Sequence, residues 1–517
     1  MRPAATTDAL ISSLLSPSIY GGNVTAVRLV ETHISWVILT GKYAYKIKKP
    51  LKLPFLDFTT LDARHRYCQE ELRLNSRLAP ELYLDVISIG GRSDRPVLGQ
   101  QPAIEYAVKM VEFSDEARLD RRIAAAAISD ADIAAFAESI GRFHAALPPA
   151  ASDSAFGTAT QVVAGVDRNA QEAAAVIAGG LEPDAVIRRN LTLLGSKLTP
   201  VIDARKQSGA VREGHGDLHL ENLVYWQSRI VPFDALEFDP ALRWIDVIDE
   251  AAFVMMDLMA HGRTDLAYRF INRYLEVTGD YEGLAVLRYY LIHRALVRAK
   301  VRAIKAEQTH ADAADPQTCA YLELGERLAA PPSPVLIITH GLSGSGKTTW
   351  TDLLLPALPA VRLRSDLVRK QLVGLDEHAS SYSPVGGGIY AAETSKQAYA
   401  ELARGALAGL TAGFSIIVDA AFLRSQQRQQ FAEIAARARS GFAILDCHAP
   451  IDTLRQRIAL RQAQSRDASE ATVAVLDHQL ATRDQLTPAE LAHAVHIDTE
   501  ARPPLEQIVA GIEAARC

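Results

Sequence analysis

Cysteine is scarce in this chain. Among 517 residues there are only Cys68, Cys319, Cys447 and Cys517, and no two of them form a Cys-x-x-Cys pair. This usage excludes a zinc knuckle or a disulfide framework and favours a reducing compartment. The N-terminus has no leader-like apolar run, and no apolar run approaches the roughly 18 residues that a membrane span requires. We therefore expect a cytoplasmic protein with no membrane partner.

A strong charge of one sign is also lacking. The net charge is -6, with 22% charged and 48% hydrophobic residues, which is the composition of ordinary globular domains rather than of disordered or histone-like chains. The length allows two or three domains, each with its own core. Prolines prevent helix continuation and stiffen a connection. The proline cluster therefore predicts a linker over residues 329–333, between domains at 1–328 and 334–517.

The beginning of the chain predicts a small antiparallel sheet. Short apolar runs alternate with turn residues, and an amphipathic helix follows with Thr59 or Thr60 as its N-cap. Most of the remainder up to about residue 326 has helical periodicity, interrupted by one hairpin. The predicted strands cover residues 27–30, 36–39, 43–47, 83–89 and 103–110, the helix runs through 64–74, and the hairpin strands are 222–225 and 230–233.

A short loop before this hairpin carries an aspartate and, five residues later, an asparagine. The segment from His215 reads His-Gly-Asp-Leu-His-Leu-Glu-Asn. In the kinase template, the aspartate accepts the proton of the acceptor hydroxyl and the asparagine coordinates magnesium. We therefore predict Asp217 as a catalytic base and Asn222 as a magnesium ligand.

The other parts of a kinase site can be sought where the template requires them. Asp234 follows the second hairpin strand and is predicted to bind magnesium. Lys46, on the third strand, is predicted to bind nucleotide with Glu71 of the following helix as its ion-pair partner, although Lys48 on the same strand face is a rival. Met110, at the end of a strand, is predicted to contact adenine.

Gly216 and a second histidine, His219, make residues 24–326 resemble aminoglycoside phosphotransferases and the related choline and sugar kinases. The resemblance implies an α+β protein-kinase-like fold that uses ATP. Two features of that template are missing, because no Gly-x-Gly-x-x-Gly joins the first two strands and no Ala-Pro-Glu follows the magnesium aspartate. The second absence argues against protein substrates.

A second phosphate-binding motif follows the linker. A continuous apolar strand over 335–339 leads into Gly-x-x-x-x-Gly-Lys-Thr and then a helix, which is the context that makes this motif specific. Further apolar strands at 360–363, 415–418 and 442–445 alternate with helices, so we predict an α/β P-loop NTPase domain with a parallel sheet. The lysine would bridge the phosphates and the first threonine would hold magnesium. The predicted nucleotide-binding residues are Gly341, Ser343, Gly344, Ser345, Gly346, Lys347, Thr348 and Thr349.

Charged residues after the next strands predict an acceptor side. Asp366 can accept a hydroxyl proton, and Arg369 three residues later can bind an anionic acceptor, the alternative being a helix cap with a surface ion pair. Asp419 ends an apolar strand and is predicted as a magnesium ligand, with a substrate-side acid as the alternative. Arg461 and Arg466 are predicted to neutralise charge on ATP, unless they only line a solvated helix face.

These residues, together with Arg428 after the strand at 415–418 and the Asp-Ala-Ser-Glu-Ala segment at 467–471, resemble P-loop kinases related to polynucleotide 5'-kinases and zeta toxins. The resemblance implies that Asp366 is the base and that Arg369 and Arg428 face the acceptor. Its members act on nucleic acids, sugars, nucleotide sugars or antibiotics, so the substrate does not transfer. The order of the two domains is similar to that of bacterial fusion proteins with an aminoglycoside phosphotransferase-like domain and a P-loop ATP-binding domain.

The sequence thus predicts a bifunctional phosphotransferase that uses ATP and Mg²⁺ and acts on hydroxyl groups of small molecules. One alternative is a polynucleotide 5'-hydroxyl kinase with an accessory first domain, although the net charge of -6 argues against a nucleic-acid partner. Another is a nucleotide-sensing regulatory protein with one silent domain. The acceptors, the coupling of the sites and the oligomeric state stay open.

Overall fold

The computed structural model of the protein describes residues 4–22, 24–53, 56–177, 185–309, 315–377, 379–381, 383, 387–464 and 470–516. The chain forms two compact units. The first comprises Met1–Asp132, Leu147–Gly157 and Gly209–Val254, and the second comprises Ile133–Ala146, Thr158–Ser208 and Met255–Cys517. The predicted linker at 329–333 does not coincide with a division between these units, and the limits of independently folding domains stay a prediction.

The first unit is built on a six-stranded antiparallel sheet and three shorter strand pairs. Its strands are Arg28–Glu31 (β1), Ser35–Leu39 (β2), Tyr43–Lys48 (β3), Lys52–Leu53 (β4), Leu56–Asp57 (β5), Tyr83–Arg92 (β6), Arg95–Leu98 (β7), Ala103–Val111 (β8), Val211–Glu213 (β9), Leu223–Trp226 (β10), Arg229–Pro232 (β11) and Trp244–Asp246 (β12). The large sheet has the order β1-β2-β3-β8-β6-β7, and the pairs are β4-β5, β9-β12 and β10-β11. An antiparallel sheet combined with helices is the predicted α+β arrangement.

Side chains along β3 alternate between the two faces of this sheet, and each face packs against a different helix. Tyr45 and Ile47 point to one face and pack against helix Ala4–Leu14 (α1). The alternate positions of the strand, including Ala44, face helix Leu61–Asn75 (α2), whose N-cap is Thr60. Because side chains alternate along a strand, the two lysines of β3 lie on the α2 face. A third helix, Leu119–Ala124 (α3), completes the unit.

The second unit combines a set of long helices with a parallel sheet. The helices that precede the sheet in the chain, two of which begin in the first unit, are Asp130–Ala146 (α4), Ala159–Ile177 (α5), Ala185–Gln207 (α6), Val247–Ala260 (α7), Thr264–Thr278 (α8), Leu284–Thr309 (α9) and Pro316–Ala329 (α10). Across the described residues, no helix combines the length and the hydropathy that crossing a membrane would need.

The sheet of the second unit has five strands, all parallel, in the order β14-β15-β13-β16-β17. They are Val335–His340 (β13), Ala360–Arg364 (β14), Ser415–Asp419 (β15), Gly441–His448 (β16) and Ala494–Asp498 (β17). The helices of this region are Lys347–Leu354 (α11), Ser365–Leu372 (α12), Ala392–Ala412 (α13), Ser425–Ala438 (α14), Ile451–Gln464 (α15), Val473–Thr482 (α16), Pro488–Leu491 (α17) and Leu505–Glu513 (α18). The predicted α/β fold class with a parallel sheet is confirmed.

The core of this sheet explains why the sequence of β13 is a nearly continuous apolar run. All residues of β13 are buried, and Ile337 lies in a cluster with Leu354 of α11 and Ile512 of α18. A strand covered on both faces has no solvent-facing positions, so apolar residues do not alternate with polar ones. In an open parallel sheet, ligands bind outside the carboxyl ends of the strands, where the loops begin.

Candidate nucleotide and phosphoryl-transfer sites

Two lysines on the α2 face of β3 share one glutamate. Lys46 Nζ lies 2.8 Å from Glu71 Oε1 and also donates to Asp234 Oδ1. Lys48 Nζ lies 2.7 Å from Glu71 Oε2 and donates to Glu237 Oε1. The structure therefore brings the predicted residues Lys46, Glu71 and Asp234 together, and it adds Lys48 and Glu237 as a second pair on the same carboxylate.

Both lysines are buried, but their carboxylate partners differ in exposure. The side chain of Lys48 is 0% exposed, whereas Lys46 contacts Asp234, whose side chain is 41% exposed. Burial alone would raise the pKa of Glu71, but the charges of Lys46 and Lys48 outweigh it and lower that pKa to about 2. The glutamate is thus ionised, and Lys46 is the lysine at the accessible end of the chain of charges. This geometry favours Lys46 over Lys48 as the residue that meets a nucleotide.

The predicted base and the predicted asparagine ligand are in direct contact. Asn222 Nδ2 donates to Asp217 Oδ2 at 2.9 Å and to the Asp217 carbonyl at 3.0 Å. His219 Nε2 lies 3.2 Å from the same carboxylate oxygen. Because the amide nitrogen of Asn222 is used in this way, its amide oxygen is the atom that can face a cation. The loop therefore presents one carboxylate and one amide oxygen side by side.

The backbone of this loop is held by a buried glutamate that the sequence did not single out. The N–H groups of His215 and Gly216 both donate to Glu250 Oε1 of α7, at 2.6 Å each. Gly216 has a φ of +86°, and a Cβ there would lie 2.8 Å from the Leu242 carbonyl oxygen. A side chain at this position would be both strained and obstructed. Glycine is therefore required for the loop to approach its neighbours this closely.

His215 joins the loop to the segment that carries Asp234, the second predicted metal ligand. Its Nε2–H donates to the Phe233 carbonyl at 2.9 Å, and its Nδ1 accepts from the Asp217 N–H at 3.3 Å. Burial lowers the pKa of His215, so the neutral ring that these two hydrogen bonds require is favoured. The Phe233 N–H in turn donates to the Asn222 carbonyl at 2.9 Å. Asp217, Asn222 and Phe233, which precedes Asp234, thus form one connected structure.

Asp234 has an unusual backbone conformation. Its φ is +64°, in the left-handed region that residues other than glycine seldom adopt. The Asp234 N–H donates to Tyr83 Oη and the Ala235 N–H donates to Asn75 Oδ1, each at 2.9 Å. The conformation is therefore held by α2 and β6. Carboxylate and amide oxygens suit Mg²⁺, so Asn222 and Asp234 fit the predicted metal.

The predicted adenine contact lies on the same side of the sheet. Met110 of β8 pairs with Ala44 of β3, and both belong to the core beneath the lysines. The side chain of Met110 is almost fully buried. Its contact with adenine stays a prediction.

The phosphate-binding loop of the second unit runs from the end of β13 to the start of α11. Gly341 has a φ of +145°, and a Cβ there would lie 2.3 Å from the Cys447 carbonyl oxygen. Lys347 begins α11, and its Nζ donates to the carbonyls of Gly341 and Leu342 at 2.9 Å each. Burial lowers the pKa of Lys347, while the nearby carboxylates of Asp419 and Asp366 oppose that shift. The Lys347 ammonium therefore lies at the loop, close to the carboxylates of Asp419 and Asp366.

The other residues of this loop also fit a nucleotide. The Ser345 hydroxyl is buried and has no hydrogen-bond partner among the described residues. Thr348 lies in the first turn of α11 and is partly exposed, and Thr349 is exposed. Backbone N–H groups at a helix start, with a lysine among them, make a site for phosphate.

Asp419 lies where the predicted magnesium ligand should be. It ends β15 and is 5% exposed, and across the described residues its carboxylate receives one long hydrogen bond, from Thr351 Oγ1 at 3.4 Å. A buried carboxylate with so few hydrogen bonds is suited to a cation. The described residues contain no cluster of three or more His, Cys, Asp or Glu positioned for a metal. Mg²⁺ at nucleotide sites uses one or two protein ligands plus phosphates, so Thr348 and Asp419 fit it.

The predicted acceptor pair is formed. Arg369 Nη1 donates to Asp366 Oδ1 at 3.1 Å within the first two turns of α12. The Arg369 guanidinium also lies 5.6 Å from the ring centre of Tyr390. Both charged side chains are partly buried, at 12% exposure for the arginine and 25% for the aspartate. An arginine oriented by an aspartate and an aromatic ring can recognise an anionic group.

Of the two arginines predicted to contact ATP, only one lies among the described residues. Arg461 Nη2 donates to the Ala471 carbonyl at 2.9 Å, and its charge contributes to the environment of Lys347. Arg466 lies outside the described residues, as does most of the 467–471 segment. The ATP-contacting role of both arginines stays a prediction.

Two residues that the sequence did not select contact the phosphate loop. Arg457 of α15 donates to the Gly344 carbonyl at 3.3 Å and to Thr499 Oγ1 at 2.8 Å. Gln479 of α16 accepts from the Ser343 N–H at 2.8 Å. Both side chains reach the loop from later helices, so they help to fix its shape.

Arg428 is buried among protein partners. Its side chain is 1% exposed, and its guanidinium donates to Glu490 Oε1 at 2.6 Å and to the carbonyls of Phe422 and Gln485 at 3.0 Å each. All three guanidinium nitrogens are thus engaged by the protein itself. This placement is that of a structural residue joining α14 to α17, and the substrate-binding role that the resemblance implied for Arg428 stays a prediction.

We expect Arg428→Met to lower the free energy of unfolding by about 3 kcal/mol, because the variant leaves Glu490 without its buried partner. Urea titration followed by circular dichroism measures this loss. The control is Arg424→Met in the same region, where the arginine side chain is 51% exposed and the expected change is below about 0.5 kcal/mol. A normal stability of Arg428→Met together with weakened acceptor binding would instead support the substrate-binding role.

Residues 336–486 match a family model described as an AAA domain. The prediction of a P-loop domain is confirmed. Over a longer range, the chain is 29% identical across 452 residues to the uncharacterized protein Rv2004c of Mycobacterium tuberculosis, covering 86% of this chain and 88% of the relative. The same identity and coverage hold for the uncharacterized protein Mb2027c of Mycobacterium bovis.

Solved structures similar to this chain fall into two groups. A choline/ethanolamine kinase family protein from Mesorhizobium loti is 10% identical with a TM-score of 0.38, covering 63% of this chain and 95% of that chain. A gluconokinase from Sinorhizobium meliloti 1021 is 20% identical with a TM-score of 0.25, covering 36% of this chain and 93% of that chain.

Proposed function

We propose that the protein is a cytoplasmic, ATP- and Mg²⁺-dependent phosphotransferase with two active sites, each of which transfers the γ-phosphate of ATP to a hydroxyl group of a small molecule. The observation that supports the proposal is that two separate residue sets each contain a lysine, side-chain oxygens of the kind that bind Mg²⁺, and a further aspartate, to which we assign the acceptor proton. The first set is Lys46, Glu71, Asp217, Asn222 and Asp234. The second is Lys347, Thr348, Asp366, Arg369 and Asp419.

At the first site, Asp217 accepts the proton of the acceptor hydroxyl as its oxygen attacks the γ-phosphorus. The new oxygen–phosphorus bond forms while the bond between the γ-phosphorus and the bridging oxygen breaks, and ADP leaves. Lys46, oriented by Glu71, compensates charge on the phosphates. Asn222 and Asp234 would hold Mg²⁺, which neutralises phosphate charge when bound.

At the second site, the loop before α11 and the ammonium of Lys347 would receive the β- and γ-phosphates, with Thr348 and Asp419 holding Mg²⁺. Asp366 takes the hydroxyl proton in the same kind of transfer. Its contact with Arg369, at 3.1 Å, orients the carboxylate and leaves an arginine beside the attacking hydroxyl. This pairing favours an acceptor that carries an anionic group near the reacting oxygen.

We expect Asp366→Asn to stop transfer at the second site while nucleotide binding there is retained, because the amide keeps the shape of the side chain but cannot take the proton. Labelled-phosphate transfer and calorimetry on the same preparation measure the two properties. Asp452→Asn, an exposed change in the same region, should alter neither. Normal transfer by Asp366→Asn would remove this residue from the role of base.

The proposed function is tested by following γ-³²P from ATP into a small-molecule extract. The full chain is compared with Asp217→Asn, Asp366→Asn and the double variant. Labelled products that disappear with one variant or the other, and completely with both, support two active sites. Label that enters only oligonucleotides with 5'-hydroxyl ends would favour a polynucleotide kinase. Nucleotide binding without any transfer would favour a nucleotide sensor.

A further inference from the structure

The edge strand of the parallel sheet is covered by a helix that the sequence assigned to the other predicted domain. Asn272 of α8 donates from Nδ2 to the Ala360 carbonyl at 3.0 Å and accepts at Oδ1 from the Arg362 N–H at 2.6 Å. Its side-chain amide thereby occupies the two pairing groups that an adjacent strand would use. Because β14 leads directly into α12 and Asp366, α8 takes part in building the second site.

A buried arginine continues this contact toward the predicted magnesium ligand. Arg362 is 4% exposed, and its Nη2 donates to Glu276 Oε1 of α8 at 2.9 Å. Its Nη1 donates to Asp352 Oδ1 at 2.7 Å and to Thr351 Oγ1 at 3.1 Å. The Thr351 hydroxyl in turn lies 3.4 Å from Asp419 Oδ2. A fixed cation therefore stands one residue away from the carboxylate that would hold Mg²⁺.

The charge of this arginine matters for a second cation. Burial works to lower the pKa of Arg362, but Glu276, Asp352 and Asp419 outweigh it and raise that pKa, so the guanidinium stays charged. A positive charge this close to Asp419 would repel Mg²⁺ unless other carboxylates neutralise it. Asp352 has a half-exposed side chain, whereas Glu276 is buried, so solvent screens the glutamate's charge least.

We propose that Glu276 is a positioning residue that sets the Mg²⁺ affinity of the P-loop site by neutralising Arg362. The inference rests on the proposed second active site and adds a part of the chain to it. Helix α8 precedes the phosphate loop by about 70 residues in the sequence. It supplies the carboxylate that neutralises Arg362 and so reduces the repulsion of Mg²⁺. The helical segment before the linker is then a working part of the P-loop enzyme.

The test measures how strongly Mg²⁺ promotes ADP binding in the full-length protein. Calorimetry with ADP is run in Mg²⁺ and in EDTA, and the P-loop event is the one that Lys347→Ala removes. The ratio of the two affinities is the magnesium factor. We expect Glu276→Gln to lower this factor by about five- to tenfold, because a guanidinium that has lost its buried counterion opposes the cation. ADP affinity in EDTA should not fall.

Three further variants separate this effect from loss of structure. In Glu276→Gln/Arg362→Met the cation is removed as well, and the magnesium factor should return to within about twofold of wild type. Asp352→Asn, at the half-exposed partner, should lower the factor in the same direction even if Glu276→Gln does not fold. Glu138→Gln removes a carboxylate 2.6 Å from Arg273 of the same helix and should leave the factor unchanged.

A folded Glu276→Gln protein with a wild-type magnesium factor would overturn the proposal, and so would an equal loss in Glu138→Gln. If Glu276→Gln does not fold, an unchanged factor in Asp352→Asn overturns it. The proposed second active site fails in a different way, namely if wild type shows no ADP-binding event that depends on Lys347.

Discussion

Replacing Lys347 with alanine is expected to reduce the nucleotide-binding events from two per chain to one. The Lys347 ammonium lies at the phosphate loop, where it is held by the carbonyls of Gly341 and Leu342. When phosphates bind, these neutral contacts are exchanged for charge-assisted bonds to the β- and γ-phosphates. Losing that ammonium in a largely buried site should weaken nucleotide binding by about 10²-fold or more. Calorimetry with a non-hydrolysable ATP analogue measures both events at once.

The matched control is Lys396→Ala, which removes an exposed lysine from α13 and should leave both binding events intact. The first site shares no residue with the phosphate loop, so its affinity should be the same in both variants. Two events in Lys347→Ala would remove this lysine from nucleotide binding. A single event in wild type would mean that one site is silent, and it would favour the nucleotide-sensing alternative over two phosphotransferase sites.

The residues that could be predicted from sequence are those whose position depends on local rules. The P-loop lysine follows a buried strand and begins a helix, and that order alone places it. Asp419 and Asp366 follow parallel strands, whose carboxyl ends meet at one edge of the sheet. Lys46 could be found because the alternation along β3 puts it on the face of α2, where Glu71 lies. In each case, the pattern of one helix or strand and of the next element in the chain is enough to predict the position of the residue.

The residues that were missed reach their sites from distant parts of the chain. Glu250 holds the first catalytic loop from α7, and Arg457 holds the phosphate loop from α15. Each is one of many charged residues on an amphipathic helix, and only the packing shows which of them points inward. The ion pair of Arg428 was missed for the same reason, because a spacing after a strand cannot reveal that Glu490 will lie beside the arginine.

The fold was predictable to a similar depth. Strands with clear alternation or a continuous apolar run, such as β3 and β13, were placed to within a residue or two. The strands β4, β5, β7, β9, β12 and β17 were missed because each has only two to five residues and lacks a clear alternation or a continuous apolar run. The contact of Asn272 with β14 could not be predicted either. A proline cluster lies between the two in the sequence, and it indicated a boundary between domains.

Asp217→Asn is expected to lower turnover at the first site by about 10²–10⁴-fold, the range typical for loss of a general base. The amide can still accept from Asn222 Nδ2, which lies 2.9 Å from the present carboxylate oxygen, so the loop should keep its shape. Nucleotide affinity at that site should therefore change little. Transfer of labelled phosphate to the first-site acceptor, with calorimetry on the same variant, separates the two quantities.

Asp234→Asn is the informative comparison, because it removes a carboxylate that contacts Lys46 and would hold Mg²⁺. Its defect should include weaker nucleotide binding in the presence of Mg²⁺, which Asp217→Asn should not show. The second site provides the internal control, since neither change touches it and its turnover should match wild type. If Asp217→Asn keeps near-normal turnover, the base at the first site is another residue. If both variants lose binding equally, Asp217 acts through the metal or the loop rather than through the proton.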